Sequence, residues 1–162
     1  MARRYWLFKS EPETFSWDHL EAAPDRSTFW DGVRNYQARN LLRDEIRVSD
    51  GVLFYHSNAK PQVIMGTAIV VKAGAPDPSQ FDARSKYFDP DATGDSPRWF
   101  GVTIQADRRF ATPVSLPTLR ETAGLEDMMV IKKGSRLSVQ PVSADAWKII
   151  VRLGAKTLRS TS

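Results

Sequence analysis

A chain of 162 residues, 41% of them hydrophobic and 26% charged, has the length of one domain and enough apolar residues to bury a core. It has no cysteine and only two histidines, which excludes disulfides, thiolate metal sites and cysteine nucleophiles and argues against a histidine-rich metal centre. A net charge of +4 favours polyanionic partners, nucleic acid foremost.

The chain opens on Tyr5 to Phe8, a dense aromatic run that reads as a first strand. The basic start through Lys9 is too short for a secretory core, so the expected setting is intracellular. Ser16 is placed to cap a helix from Trp17 to Ala23, stopped by Pro24. Phe29-Trp30 forms a second short strand, and Asn35 to Ile46 has apolar residues near helical spacing. Asp50-Gly51 opens a third strand to His56, and Val63 to Lys72 is a long β-branched fourth with a bend expected at Gly66. The apolar run 63–71 is interrupted by Gly66 and Thr67 and falls far short of the roughly 20 residues that span a bilayer. No membrane partner is expected. The stretch from Ala73 to Pro97 holds four prolines and reads as a functional loop. Trp99 to Ile104 is a fifth strand, with Arg108 to Phe110 extending it, and Leu137 to Val142 is the sixth. Between them, Ser115 caps a helical turn ending at Gly124, and Leu125 to Lys133 reads as a further short helix. A last helix, Ala144 to Leu153, is capped by Ser143. Short strands interrupted irregularly by helices point to an α+β fold, a small mixed barrel and not a doubly wound sheet.

Four groups of residues carry candidate chemistry. Lys9-Ser10-Glu11 leave the first strand where they can meet a phosphate or a base edge; the plain alternative is a polar strand exit. Trp30-Asp31-Gly32 followed by Arg34 and Asn35 places an aromatic face beside a turn, and Arg39, Arg43 and Arg47 recur at helical spacing as one basic stripe. Both features also fit an ordinary core tryptophan and a solvated helix face. In the third strand, alternation puts Phe54 and His56 on one face and Leu53 and Tyr55 on the other, so one aromatic belongs to the core. Tyr87, Phe88 and Trp99 gather around the proline-rich loop, either as a second pocket wall or as pins holding the loop down.

Taken in order, Tyr5–Pro12, Trp30–Asn40, Val52–Asn58, Asp89-Pro90, Pro97–Phe100 and Arg136–Val142 resemble the EVE domain family over nearly the whole chain. The resemblance implies one domain over residues 1–153, with a short basic tail, 154–162, expected to fray. It implies a PUA-like mixed β pseudobarrel of about six strands surrounded by short helices, related to YTH and ASCH domains. The implied function is a reader of a modified nucleobase in DNA or RNA, not an enzyme, needing no cofactor or metal. The implied setting is cytoplasmic in a bacterium and nuclear in a eukaryote, with a monomer as the default. Lys9-Ser10 match the Lys-Ser pair of YTH readers, and Trp30 stands where those readers carry a cage tryptophan. Glu11 and Asp31 stand where methyladenosine readers carry other residues; a carboxylate accepts from an amino group, which turns the expectation toward a cytosine-type ligand.

The expected base pocket is therefore Lys9, Ser10, Glu11, Trp30, Asp31, Asn35, Tyr55, His56, Tyr87, Phe88 and Trp99, with Arg34, Arg39 and Arg43 on phosphates. The alternative is a small nucleic-acid hydrolase using Lys9, Glu11 and His56, for which no nucleophile elbow or carboxylate cluster is evident.

Overall fold

The computed structural model describes residues 3–134 and 136–156; the expected tail lies, from residue 157 on, outside them. Six strands form one mixed sheet: β1 (Tyr5–Ser10), β2 (Ser27–Phe29), β3 (Gly51–His56), β4 (Val63–Pro76), β5 (Phe100–Ser115) and β6 (Val139–Val142). Their order across the sheet is β2-β5-β4-β3-β1-β6. All neighbours are antiparallel except β1 and β3, which run parallel with Lys9 opposite Tyr55 and Ser10 opposite His56. The six strands are those expected from the sequence, with β4 and β5 longer. Register shifts at Gly66 and at three other points let the long β4–β5 ribbon bend. The sheet does not close: β2 and β6 are both edges. Pro141, which lacks an N–H, sits on edge strand β6, where a missing donor is tolerated.

Alternation within β1 and β3 divides the core in two. Trp6, Phe8, Val52 and Phe54 face one side with Trp17, Leu20, Trp30 and Leu42; Leu7, Leu53 and Tyr55 face the other with Leu119, Trp147 and Ile150. On the first face lie helix α1 (Trp17–Ala22) and α2 (Tyr36–Asn40); on the second lie α3 (Leu116–Glu121) and α4 (Ala144–Ala155). Each helix starts on a side-chain cap, Ser16, Asn35, Ser115 and Ser143 in turn. The helix expected from Asn35 to Ile46 is broken: α2 passes at once into a single π turn, Leu41–Glu45. The helix expected at Leu125 to Lys133 is reduced to a 3-10 turn, Met129–Ile131, because its buried residues Leu125, Met128 and Val130 do not follow one helical stripe. Among the described residues no helix is long and apolar enough to cross a membrane.

Two buried polar groups lock the strand ends. Asp50 accepts from the backbone N–H groups of Arg4 and Arg47 and from the Trp6 indole at 2.9 Å, joining β1 to the turn before β3. His56 Nε2 accepts the Trp17 N–H at 3.0 Å, tying the end of β3 to the first residue of α1. Burial pushes the His56 pKa below the ordinary histidine value, opposed by the nearby Asp18 carboxylate. The folded chain therefore binds the proton less readily than the unfolded chain does. Stability is full above about pH 6.5, the unfolded value, and falls as pH drops below it. Urea unfolding between pH 7.5 and 5.5 should show this loss, limited to about 1.4 kcal/mol per pH unit, and His56→Gln should flatten it. Equal pH slopes in the two proteins would contradict the assignment.

Candidate functional site

The gap between the two sheet edges holds a pocket of about 510 Å³. Lys9 and Ser10 from the end of β1, Thr28 and Phe29 from β2, and Ser138 just before β6 all line it. Strands that lie at opposite ends of the sheet order thus meet across one cavity, so the sheet curls until its edges almost face each other. The ring centroids of Phe8 and Trp30 lie 5.3 Å apart across this seam, and Phe15 and Phe54 meet Trp30 edge-on at 6.3 and 5.6 Å. Aromatic packing thus joins β1 and β3 to the segment that follows β2.

Of the residues expected in the pocket, Lys9, Ser10, Glu11, Trp30, Asp31 and Tyr87 line it, and Arg34 lines it as well. The Ser10 hydroxyl donates to the Phe15 carbonyl, which leaves its oxygen as an acceptor toward the cavity. Burial pushes the Lys9 ammonium below its usual pKa. Asp31 is pushed up, by burial first and then by the charge of Asp77, with Arg34 and Lys86 opposing.

The others are elsewhere. Tyr55 is on the opposite face of the sheet, as strand alternation requires; it is fully buried, donates to Gln62 Oε1 at 2.8 Å, and burial raises its pKa to about 12. His56 is buried against α1 through its bond to Trp17, outside the pocket lining. Lys9 and Glu11 line the pocket without His56, so the trio of the alternative hydrolytic reading is not brought together there. Asn35 uses its side chain to cap α2, accepting from Ala38 N. Phe88 points outward, 41% exposed, and Trp99 lies behind Arg34 with its indole donating to Asp89 at 2.7 Å. The arginine stripe is broken by the π turn. Arg39 donates to the Arg98 carbonyl and Arg43 forms a two-point pair with Asp44.

Arg34 is turned inward too. Its guanidinium donates to the Tyr87 carbonyl at 2.6 Å, to Asp77 at 3.1 Å and to Ser79 at 3.1 Å. It lies between the rings of Trp99 and Tyr87, at 5.3 and 5.4 Å from their centroids, and Lys86 approaches Tyr87 at 5.0 Å. Beyond Trp99 the series continues through Tyr36 at 4.9 Å and Arg39 over Tyr36 at 4.9 Å. Alternating rings and cations thus run from the pocket wall to α2.

Asp77 anchors this wall and was not distinguishable in the sequence. Fully buried, it accepts from Gly32 N at 2.8 Å, from Ser79 N and Oγ, and from Arg34. Burial alone would raise its pKa, but the hydrogen bonds from Ser79, Gly32 and Arg34 outweigh it and hold it below the carboxylate range. Gln80, also buried, ties Asp77 to Arg98 and Trp99 through four hydrogen bonds. The proline-rich stretch is thus pinned to the domain. Thr14, Phe15, Thr28, Phe29, Val33, Lys86 and Ser138 also line the cavity without having been singled out. Phe29 and Lys86 had a signal, as direct neighbours of Trp30 and Tyr87.

The EVE domain model matches residues 4–153. Thymocyte nuclear protein 1 of Rattus norvegicus is 38% identical over 165 residues, covering 92% of this chain and 73% of that protein. A hypothetical protein from Leishmania major superposes with a TM-score of 0.88 at 42% identity, covering 94% of this chain and 95% of the other. Human THYN1 in complex with DNA containing 5-methylcytosine superposes with a TM-score of 0.87 at 36% identity, over 94% and 98% of the two chains.

Gly32 has φ +77°, and a Cβ there would meet the Tyr87 ring at 2.6 Å. Gly32→Ala should cost about 2 kcal/mol from backbone strain and displace the ring. Thermal unfolding together with the Tyr87 ring resonances checks both, and an unmoved Tyr87 would refute the contact. From the family model, the matching relatives and the shared fold together, the chain belongs to the EVE domain family.

Proposed function

We propose that this protein reads a modified nucleobase that is turned out of a DNA or RNA strand into the seam pocket. The observation that carries the reading is the cavity itself: about 510 Å³, walled by Phe15, Phe29, Trp30 and Tyr87, with Lys9, Ser10, Glu11 and Asp31 converging on it. A cleft of about 300–1,000 Å³ is the size of a small-ligand site, and this one combines aromatic walls with a largely polar lining. Flat walls suit a planar base, and extruding one costs a few kcal/mol that stacking and phosphate contacts offset. The human THYN1 complex makes 5-methylcytosine in DNA the first ligand to test.

For the phosphate contacts, Lys86 joins the expected arginines as a candidate. Arg34, Arg39 and Arg43 each hold a protein acceptor, whereas Lys86 is exposed at the pocket rim with its ammonium over Tyr87. Lys86→Ala should reduce the slope of log affinity against log salt by about 0.9 or less, and Arg43→Ala should leave it unchanged. Equal slopes for the wild type and Lys86→Ala would remove Lys86 from the phosphate path.

Tyr87→Ala tests the pocket with little risk to the core, because this ring is only half-buried. Fluorescence anisotropy with paired oligonucleotides, carrying 5-methylcytosine or cytosine at one position, reads the preference directly. The wild type should prefer the modified strand, and the variant should lose about tenfold in affinity, within the roughly 1–3 kcal/mol that one stacked base contributes. A wild type that binds modified and unmodified strands equally would sink the reading for this modification.

A further inference from the structure

The cations of this protein fall into two groups. Arg4, Arg26, Arg34, Arg43, Arg98 and Arg109 are each paired with a carboxylate of the fold. Lys132, Lys133 and Arg136, just before β6, are exposed, and their side chains make no ion pair or hydrogen bond among the described residues.

The chain that carries these three cations is held against the pocket on both sides. Ser138 lines the cavity, and its carbonyl accepts the Lys9 N–H at 2.8 Å. Leu137 is buried in the same cluster as Phe8 and Trp30, and its carbonyl accepts from the buried Gln140 side chain at 2.8 Å. Toward the N-terminus, Met129 packs against that cluster and Val130 is buried. The Lys132 N–H then closes the 3-10 turn on the Met129 carbonyl at 3.1 Å. Arg136 stands two residues from the pocket lining, within about 7 Å along even an extended chain. Lys86 belongs to the other sheet edge: its neighbour Tyr87 sits on Gly32, just after β2, and the Lys86 ammonium lies over that ring.

Phosphate contacts fix the position and direction of a strand without reading its sequence. We infer that the nucleic-acid strand crosses the seam, with one flank of the bound nucleotide on Lys86 beside β2 and the other on Arg136, Lys133 and Lys132 beside β6. This rests on the reader function proposed above and adds the path of the strand on either side of the base.

Fluorescence anisotropy over a salt series tests the path, using single strands that carry one 5-methylcytosine at the centre, near the 5′ end or near the 3′ end. Each lost phosphate contact on a single strand should lower the slope of log affinity against log salt by about 0.7. Lys132→Ala, Lys133→Ala and Arg136→Ala combined should therefore lower it by about 1.4 to 2. Lys148→Ala with Arg152→Ala, which removes two exposed cations of α4, should leave it unchanged. The wild type should bind the centred base more tightly than either terminal one. The triple variant should bring the centred strand level with one terminal placement, and Lys86→Ala should bring it level with the other. An unchanged slope in the triple variant overturns the path, as does an equal fall in the α4 variant. A triple variant and Lys86→Ala that lose the same flank overturn it too. The triple variant should keep the wild-type preference for 5-methylcytosine over cytosine, since the pocket lining is untouched. A wild type without that preference removes the reader function for this modification, while the slopes on unmodified strands still decide whether Lys132, Lys133 and Arg136 carry phosphates.

Discussion

The architecture depends on a sheet that curls far enough to bring its edges together and then does not join them. A closed barrel would complete its ladder across this gap; here the gap stays open beside a cluster of aromatic rings. Phe8 from β1 and Trp30 from the end of β2 meet at 5.3 Å, with Phe15 and Phe54 packed edge-on around Trp30. Rings pack β1 and β3 onto the residue that follows β2 without filling all the space there, and the pocket lies beside them. The parallel β1–β3 pair matters for the same reason. It ends both strands at one rim, delivering Lys9 and Ser10 to the cavity and His56 to the start of α1.

The second requirement is a rigid wall. Asp77 holds the long segment between β4 and β5 against Trp30–Arg34, together with the bonds of Arg34 to the Tyr87 carbonyl and Ser79. A fully buried carboxylate is costly unless its oxygens are satisfied, and here four donors from three residues satisfy them. Through Gly32 the same carboxylate sets the turn on which the Tyr87 ring sits. Through Arg34 it holds the alternating rings and cations that reach Tyr36 on α2. A preformed wall costs little ordering when a ligand enters, which suits recognition of a small group on a base.

Much of this was legible in the sequence. Period-two alternation placed Tyr55 and Phe54 on opposite faces correctly, and local caps located the starts of α1, α3 and α4. Lys9, Ser10, Glu11, Trp30, Asp31 and Tyr87 do gather around one cavity. Other features required long-range geometry. Nothing local separates buried Asp77 from a solvated aspartate in a polar loop, and Phe15 lies in a turn with no period to reveal its inward face. Charge patterning did not show where the arginines would find partners within the fold. Arg34, Arg39 and Arg43 look like a phosphate surface in one dimension, yet planar guanidinium groups are well suited to binding carbonyls and carboxylates within the fold. His56 likewise had the chemistry of a catalyst, but the strand register aims it at a backbone N–H.

The central claim is that the seam between the sheet edges receives the base. Isotope-filtered NMR of the protein with a DNA strand bearing a single 5-methylcytosine addresses it most directly. The base's methyl protons should give nuclear Overhauser contacts to the rings of Phe15, Trp30 or Tyr87, which wall the cavity. Methyl contacts absent from these rings, with shifts confined to the outer face around Arg108 and Arg109 on β5, would place nucleic acid elsewhere and contradict the account.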